Sequence, residues 1–161
     1  QRGAIFAHAV HTGPMEHAMF AESGCIVAHC PTANIYLKSG TMSRYSWREA
    51  HVPIILGSDI AGGHERSMVR VAVAMIEAAK MLNEPIPTAR EAWWQITAGN
   101  AQTLGWEDRG VLKDHAMAHL LVIRPDIEWQ AATDPLGMLL YGWDDRWIRQ
   151  VYLGGKLITL D

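Results

Sequence analysis

Pro53-Ile-Ile-Leu56-Gly-Ser-Asp59-Ile-Ala-Gly62-Gly63 opens with an apolar run too short for a helix and closes on a carboxylate followed by two glycines. A run of this length, bounded by Pro53 and Gly57, reads as a buried strand. The same pattern occurs twice upstream. Residues 4–7 are apolar and lead to His8, and residues 25–28 are apolar and lead to His29. Between these runs lie helical patterns. One covers residues 14–23, with Pro14 in its first turn and Gly24 just past its end. Another covers residues 42–51, and residues 30–40 read as a loop. Strands alternating with helices predict an α/β arrangement around a parallel sheet.

Working outward, residues 67–83 read as a helix that Ser67 can cap. Met68, Val71, Ala72, Met75, Ala79 and Leu82 form its apolar stripe, widened by Val69, Val73 and Ile76. Thr88-Ala-Arg-Glu91 has the form of a capping box and opens a further helix through Trp93 and Trp94. After Gly105 the rhythm changes to strands: residues 110–112, 119–124 and 148–158, the last folding back at Gly154-Gly155. A boundary is placed near Trp106, giving segments 1–106 and 107–161.

The 161 residues are 49% apolar and 19% charged, the composition of a folded chain, and the net charge of −3 gives no basic footprint for nucleic acid. No apolar run is long enough to span a membrane. Cys25 and Cys30 make no disulfide framework and fit a reducing, cytoplasmic setting, with Cys25 read as a small core residue.

His8, His29 and Asp59 all follow strand ends. In a parallel barrel those ends open on one face, where active sites are built, so the three side chains could converge there. A divalent metal held at such a face lowers the pKa of bound water towards ~7, and a neighbouring carboxylate can take up the proton. Gly62 and Gly63 would let the backbone approach closely. His11, His17, His51 and His64 read as surface or loop residues, with His64 near enough in sequence to line a pocket.

Phe6-Ala-His8-Ala-Val-His11-Thr12, then Val27-Ala-His29-Cys-Pro-Thr-Ala-Asn34-Ile-Tyr-Leu-Lys-Ser-Gly40, then Pro53 to Gly63, at these spacings, resemble the amidohydrolase superfamily. The nearest resemblance is to its guanine deaminase and chlorotriazine hydrolase type. Asn100-Ala-Gln-Thr-Leu-Gly105 and the turn that follows resemble the same family's helix-and-turn. The resemblance implies strands six to eight of a TIM (β/α)8 barrel, then the C-terminal part of a small β-sandwich domain. It implies a metal-dependent aminohydrolase, using Zn2+ or another divalent metal such as Fe2+, that deaminates guanine or a related heteroaromatic ring. Alternatives are an S-adenosylhomocysteine-type or triazine aminohydrolase, or, in another class, a non-catalytic scaffold or binding protein.

By position, the resemblance makes Asp59 a metal ligand and proton acceptor. His8 is implied to contact substrate and water, beside or at the metal. Asn34 and His29 are implied to support the loop or approach the substrate. It also implies a homodimer. The family's strand-one His-x-His pair and strand-five His would lie upstream of Gln1, so a fragment is expected. His115 and His119 stand where the family carries Gly and Asp, which implies altered turn packing in the second segment.

Overall fold

The structure, a computed structural model, describes residues 3–158. Residues 1–2 and 159–161, the outer ends of the two expected segments, lie outside the described residues. The first half is built from β1 (Ile5–Ala7), α1 (Pro14–Ser23), β2 (Ile26–His29), α2 (Pro31–Tyr36), α3 (Arg44–Glu49) and β3 (Ile54–Leu56). Strands β1, β2 and β3 lie side by side in sequence order, all parallel. All three predicted strands therefore form, and their C-terminal ends lie at one edge of the sheet. α1 ends as predicted at Gly24, whose φ of 65° is a left-handed turn that favours glycine.

Three local expectations in residues 3–68 are corrected. The loop expected over residues 30–40 contains α2. Pro31 occupies its first turn, where the missing N–H costs nothing, and Lys38 leaves it with a φ of 54°. Burial of Pro31, Ala33 and Asn34 holds this short helix in place of an amphipathic stripe. His17 is buried rather than on the surface. Its ring centroid lies 4.0 Å from that of Trp47, and its Nε2 is 3.1 Å from Thr12 Oγ1. Ser67 does precede α4 (Met68–Met81), but its side chain makes no capping bond; its backbone N–H donates to Glu65 Oε1 at 2.7 Å.

Between Val69 and Ala79 the broad stripe of α4 is buried apart from a half-buried Val73, while Leu82 at its end is 37% exposed. α5 (Ala89–Trp94) carries the predicted capping box: Thr88 Oγ1 accepts from Glu91 N–H at 3.2 Å and Glu91 Oε2 accepts from Thr88 N–H at 2.8 Å. The helix then widens into a π turn over Gln95–Gly99 and resumes as α6 (Asn100–Leu104).

Beyond it, β4 (Leu120–Ile123), β5 (Ile148–Leu153) and β6 (Lys156–Ile158) form an antiparallel sheet, and β5 and β6 join through Gly154-Gly155 as predicted. Residues 110–112 form no strand. An unpredicted helix, α7 (Pro135–Tyr141), starts where Asp134 Oδ1 accepts from Gly137 N–H at 3.0 Å. It buries Leu139 and Leu140 against α4 and α5, in a cluster that also holds Leu56, Met75, Trp143 and Trp147. Ile123 and Ile148 of the antiparallel sheet pack on the same cluster. A second cluster of Val27, Met42, Trp47, Val52 and Ile54 packs β2 and β3 against α3. Among the described residues no helix is long and apolar enough to cross a membrane.

Candidate active site

Two of the predicted strand-end side chains meet. His8 follows β1 and Asp59 lies three residues past β3, and His8 Nε2 is 3.8 Å from Asp59 Oδ2. Both are part-exposed, at 43% and 34% of the side chain. Both also adopt left-handed backbone, with φ of 71° at His8 and 49° at Asp59; Ala9 and Ala61 beside them do the same. Such conformations cost free energy in non-glycine residues and persist where surrounding contacts over-determine them. Those contacts are present. His8 N–H donates to Ala28 O at 2.9 Å, and the N–H groups of Gly62 and Gly63 each donate to Asp59 O at 3.0 Å.

The glycines matter sterically. A Cβ on Gly62 would sit 2.5 Å from Asp59 Oδ2, and one on Gly63 would sit 3.0 Å from the backbone of Ala33. Asp59 therefore folds back over its own loop, a close approach that only glycine at position 62 admits.

Asn34 supplies the next contact. Its Oδ1 lies 2.8 Å from His8 Nδ1. An amide oxygen only accepts, so in the neutral ring the proton sits on Nδ1 and the lone pair of Nε2 faces Asp59. At 3.8 Å the gap is too wide for a direct hydrogen bond. Two electron-pair donors facing across such a gap repel unless a cation or a proton donor stands between them. That donor set, an imidazole nitrogen and a carboxylate oxygen, suits zinc. His8 and Asp59 thus fit two positions of a metal site; a catalytic zinc commonly takes three protein ligands. Among the described residues no group of three or more His, Cys, Asp or Glu is arranged to hold one.

The structure sets His29 apart. Its side chain is 1% exposed and lines a small closed cavity with Pro31, Asn34, Met42 and Ala78. Neither ring nitrogen has a hydrogen-bond partner among the described residues, and the same holds for Asn34 Nδ2. Burial, with the nearby Arg44 charge, lowers the pKa of His29 to about 3. Only its backbone reaches towards the strand ends, with His29 O accepting from Gly57 N–H at 2.9 Å.

Cys30 is also near the pair. Burial raises its thiol pKa, and the Asp59 charge adds to this, which keeps it protonated. His64 is exposed, with its ring centroid 5.4 Å from that of Tyr36. The left-handed backbone at His8 and Asp59 was not legible in the sequence, because neither residue type signals it. Asn34 was legible as a site residue, but not as the partner that sets the tautomer of His8.

A parallel α/β sheet thus brings a histidine and an aspartate together beyond its strand ends. The family model for the amidohydrolase family matches residues 2–158, and the chain belongs to that family. Guanine deaminase of Mus musculus is 30% identical over 177 residues, covering 96% of this chain and 38% of the relative. A 5-methylthioadenosine/S-adenosylhomocysteine deaminase of Halobacterium salinarum is 32% identical over 162 residues, covering 98% of this chain and 37% of the relative. The chain thus spans under two fifths of the length of these relatives.

Among solved structures, E. coli guanine deaminase superimposes with a TM-score of 0.89 at 27% identity, covering 96% of this chain and 38% of that one. A guanine deaminase from C. acetobutylicum with guanine bound gives 0.88 at 25% identity, covering 98% and 39%. An adenosine deaminase from Xanthomonas campestris with bound zinc gives 0.83 at 25%, covering 98% and 38%.

Proposed function

We propose that this chain carries strands six to eight of a TIM-type amidohydrolase barrel in residues 1–106 and part of a small β-sandwich domain in residues 107–161. The whole protein is then a zinc-dependent aminohydrolase that releases ammonia from guanine or a related purine-like ring. The observation that carries this reading is the convergence of His8 Nε2 and Asp59 Oδ2 across 3.8 Å, with Asn34 holding the far side of the imidazole. Similarity to guanine deaminases over nearly the whole chain supports the choice of substrate.

Asp59 would hold the metal with His8 beside it; when bound, the metal supplies Lewis acidity and lowers the pKa of water. Asp59 accepts a proton at its carboxylate from the attacking water and passes it to the leaving amino nitrogen, as a positioned acid–base group does. The water oxygen bonds to the ring carbon, the exocyclic carbon–nitrogen bond breaks, and the amino group leaves as ammonia. His8, oriented by Asn34, presents Nε2 to the water and to the polar edge of the ring. His29 supports the strand and the α2 loop from its buried position and makes no direct contact with substrate.

The similarity to the Halobacterium protein favours a second reading, a deaminase of adenine-containing thioethers. Ammonia release by the zinc-loaded full-length protein, measured with guanine, S-adenosylhomocysteine and 5-methylthioadenosine, separates the two. The first reading requires kcat/KM for guanine to lead by at least ~10-fold, equivalent to 1.4 kcal/mol in the transition state. Preference for the thioethers establishes the second reading, and no ammonia from any of the three overturns both.

A further inference from the structure

Strand β3 carries Asp59 at its end, and its two edges are satisfied differently. On one edge Pro53 O accepts from Val27 N–H at 3.0 Å and Gly57 N–H donates to His29 O at 2.9 Å. The intervening residues, Ile54 and Leu56, therefore turn their backbone groups away from β2. On that edge, among the described residues, their backbone groups meet side chains. Asn100 Oδ1 accepts from Leu56 N–H at 2.8 Å, and Asn100 Nδ2 donates to Leu56 O at 2.8 Å. Gln95 Nε2 donates to Ile54 O at 3.2 Å and to Asn100 Oδ1 at 3.0 Å.

Each amide is held one way round. Arg44, which can only donate, gives an N–H to Gln95 Oε1 at 3.0 Å. That turns the two N–H groups of Gln95 towards Ile54 and Asn100. The acceptor of Asn100 then receives both Gln95 and Leu56, and its remaining N–H groups face Leu56 O. Gln95 is 2% exposed, so water offers little substitute for these bonds.

The π turn makes the pairing possible. Gln95 and Asn100 are five residues apart, which in an α-helix places them about 140° apart around the axis. Within Gln95–Gly99 the ladder widens and Asn100 N–H bonds to Gln95 O, which brings the two side chains to one face.

We infer that Gln95 and Asn100 are positioning residues, a side-chain clamp assembled by the π turn that holds the Asp59-bearing end of β3 in register with His8. The inference rests on the proposed role of Asp59. Leu56 is the last residue of β3, and from it only Gly57 and Ser58 lead to Asp59. With the clamp removed, the Leu56 N–H and C=O lose their partners and the strand end can shift. A displacement of about 1 Å at a reacting group costs on the order of 10²-fold in rate.

The test uses the full-length protein and three readouts: hydrogen exchange at the Leu56 amide, zinc affinity by chelator competition, and steady-state kinetics. Asn100→Ala is expected to speed exchange at Leu56, weaken zinc binding and lower kcat, each by about 10-fold, with KM within about 3-fold. Gln95→Glu retains the side-chain shape but removes the donors; it should act in the same direction and serves if Asn100→Ala does not fold. The double variant should fall no more than about 3-fold further, because both residues act through one clamp. Leu140→Ala, in the buried face of α7, is the reference for general loss of stability.

Unchanged exchange at Leu56 in Asn100→Ala overturns the clamp. So does an equal fall in zinc affinity and kcat in Leu140→Ala. Should the unmodified protein neither bind zinc nor release ammonia, the functional reading fails, and exchange at Leu56 alone then decides the clamp.

Discussion

Three parallel strands each lead to a polar side chain, but those of the outer two and of the middle one meet opposite fates. β1 and β3 lead into left-handed backbone that presents His8 and Asp59 to a shared, part-exposed gap. β2 ends on His29, whose ring is buried among Pro31, Asn34, Met42 and Ala78. Ala7 pairs with Ala28, so His8 and His29 stand level across the β1–β2 register and no offset in sequence separates them. His8 turns out because its φ of 71° departs from the extended strand, whereas His29 is still part of β2 and its ring stays buried against the helix layer. Polar residues at strand ends are therefore not interchangeable evidence of a site.

The sharpest way to break this contrast is at Asp59. In the full-length enzyme, Asp59→Asn keeps the shape but removes the proton acceptor, and turnover should fall by at least ~10²-fold. Near-normal ammonia release would remove Asp59 from the mechanism and leave the exposed pair without a function.

His8→Ala tests the other outer strand. Here kcat should fall by roughly 10-fold or more while bound zinc stays largely intact, since His8 chiefly orients water and ring. Stoichiometric loss of metal would make His8 an essential ligand and revise its role.

Gly62→Ala probes the loop that returns over Asp59. The added Cβ would meet Asp59 Oδ2 at 2.5 Å, so the carboxylate must move. A loss of about 10-fold in kcat is expected, within the range that small misplacements of a reacting group produce. Unchanged kinetics would mean that the carboxylate has freedom that this packing does not suggest.

The middle strand should give the smallest effect on rate and a distinct effect on stability. His29→Gln should leave kcat within about 3-fold, the range of a residue that makes no substrate contact. Its pKa falls from the ordinary 6.5 to about 3 on folding. Between those values the unfolded chain binds a proton that the folded chain does not. The contribution of neutral His29 is therefore complete above about pH 6.5 and is lost progressively as pH falls towards 3. Denaturant midpoints measured across this window should drop less steeply in His29→Gln than in the unmodified protein. Equal slopes would mean that His29 is not held neutral by burial.

What the amino-acid sequence determined by itself was periodic or local. The three apolar runs, the Pro14 start and Gly24 stop of α1, the capping box at Thr88 and the Gly154-Gly155 turn all rest on nearest-neighbour rules of backbone sterics and hydrogen bonding. His8 and Asp59 were legible for the same reason, as polar residues just past strand-like runs, while Asn34 was legible only through the family resemblance.

Other features depended on contacts between distant segments. α2 and α7 are short helices held by burial rather than by a periodic stripe, and His17 is buried because Trp47 packs over it. The tautomer of His8 is set from Asn34, 26 residues away. The Leu56 N–H at the end of β3 is met by Asn100, 44 residues beyond it. Only the tertiary structure decides such pairings, because donor and acceptor acquire their partners when the chain closes on itself and buries them.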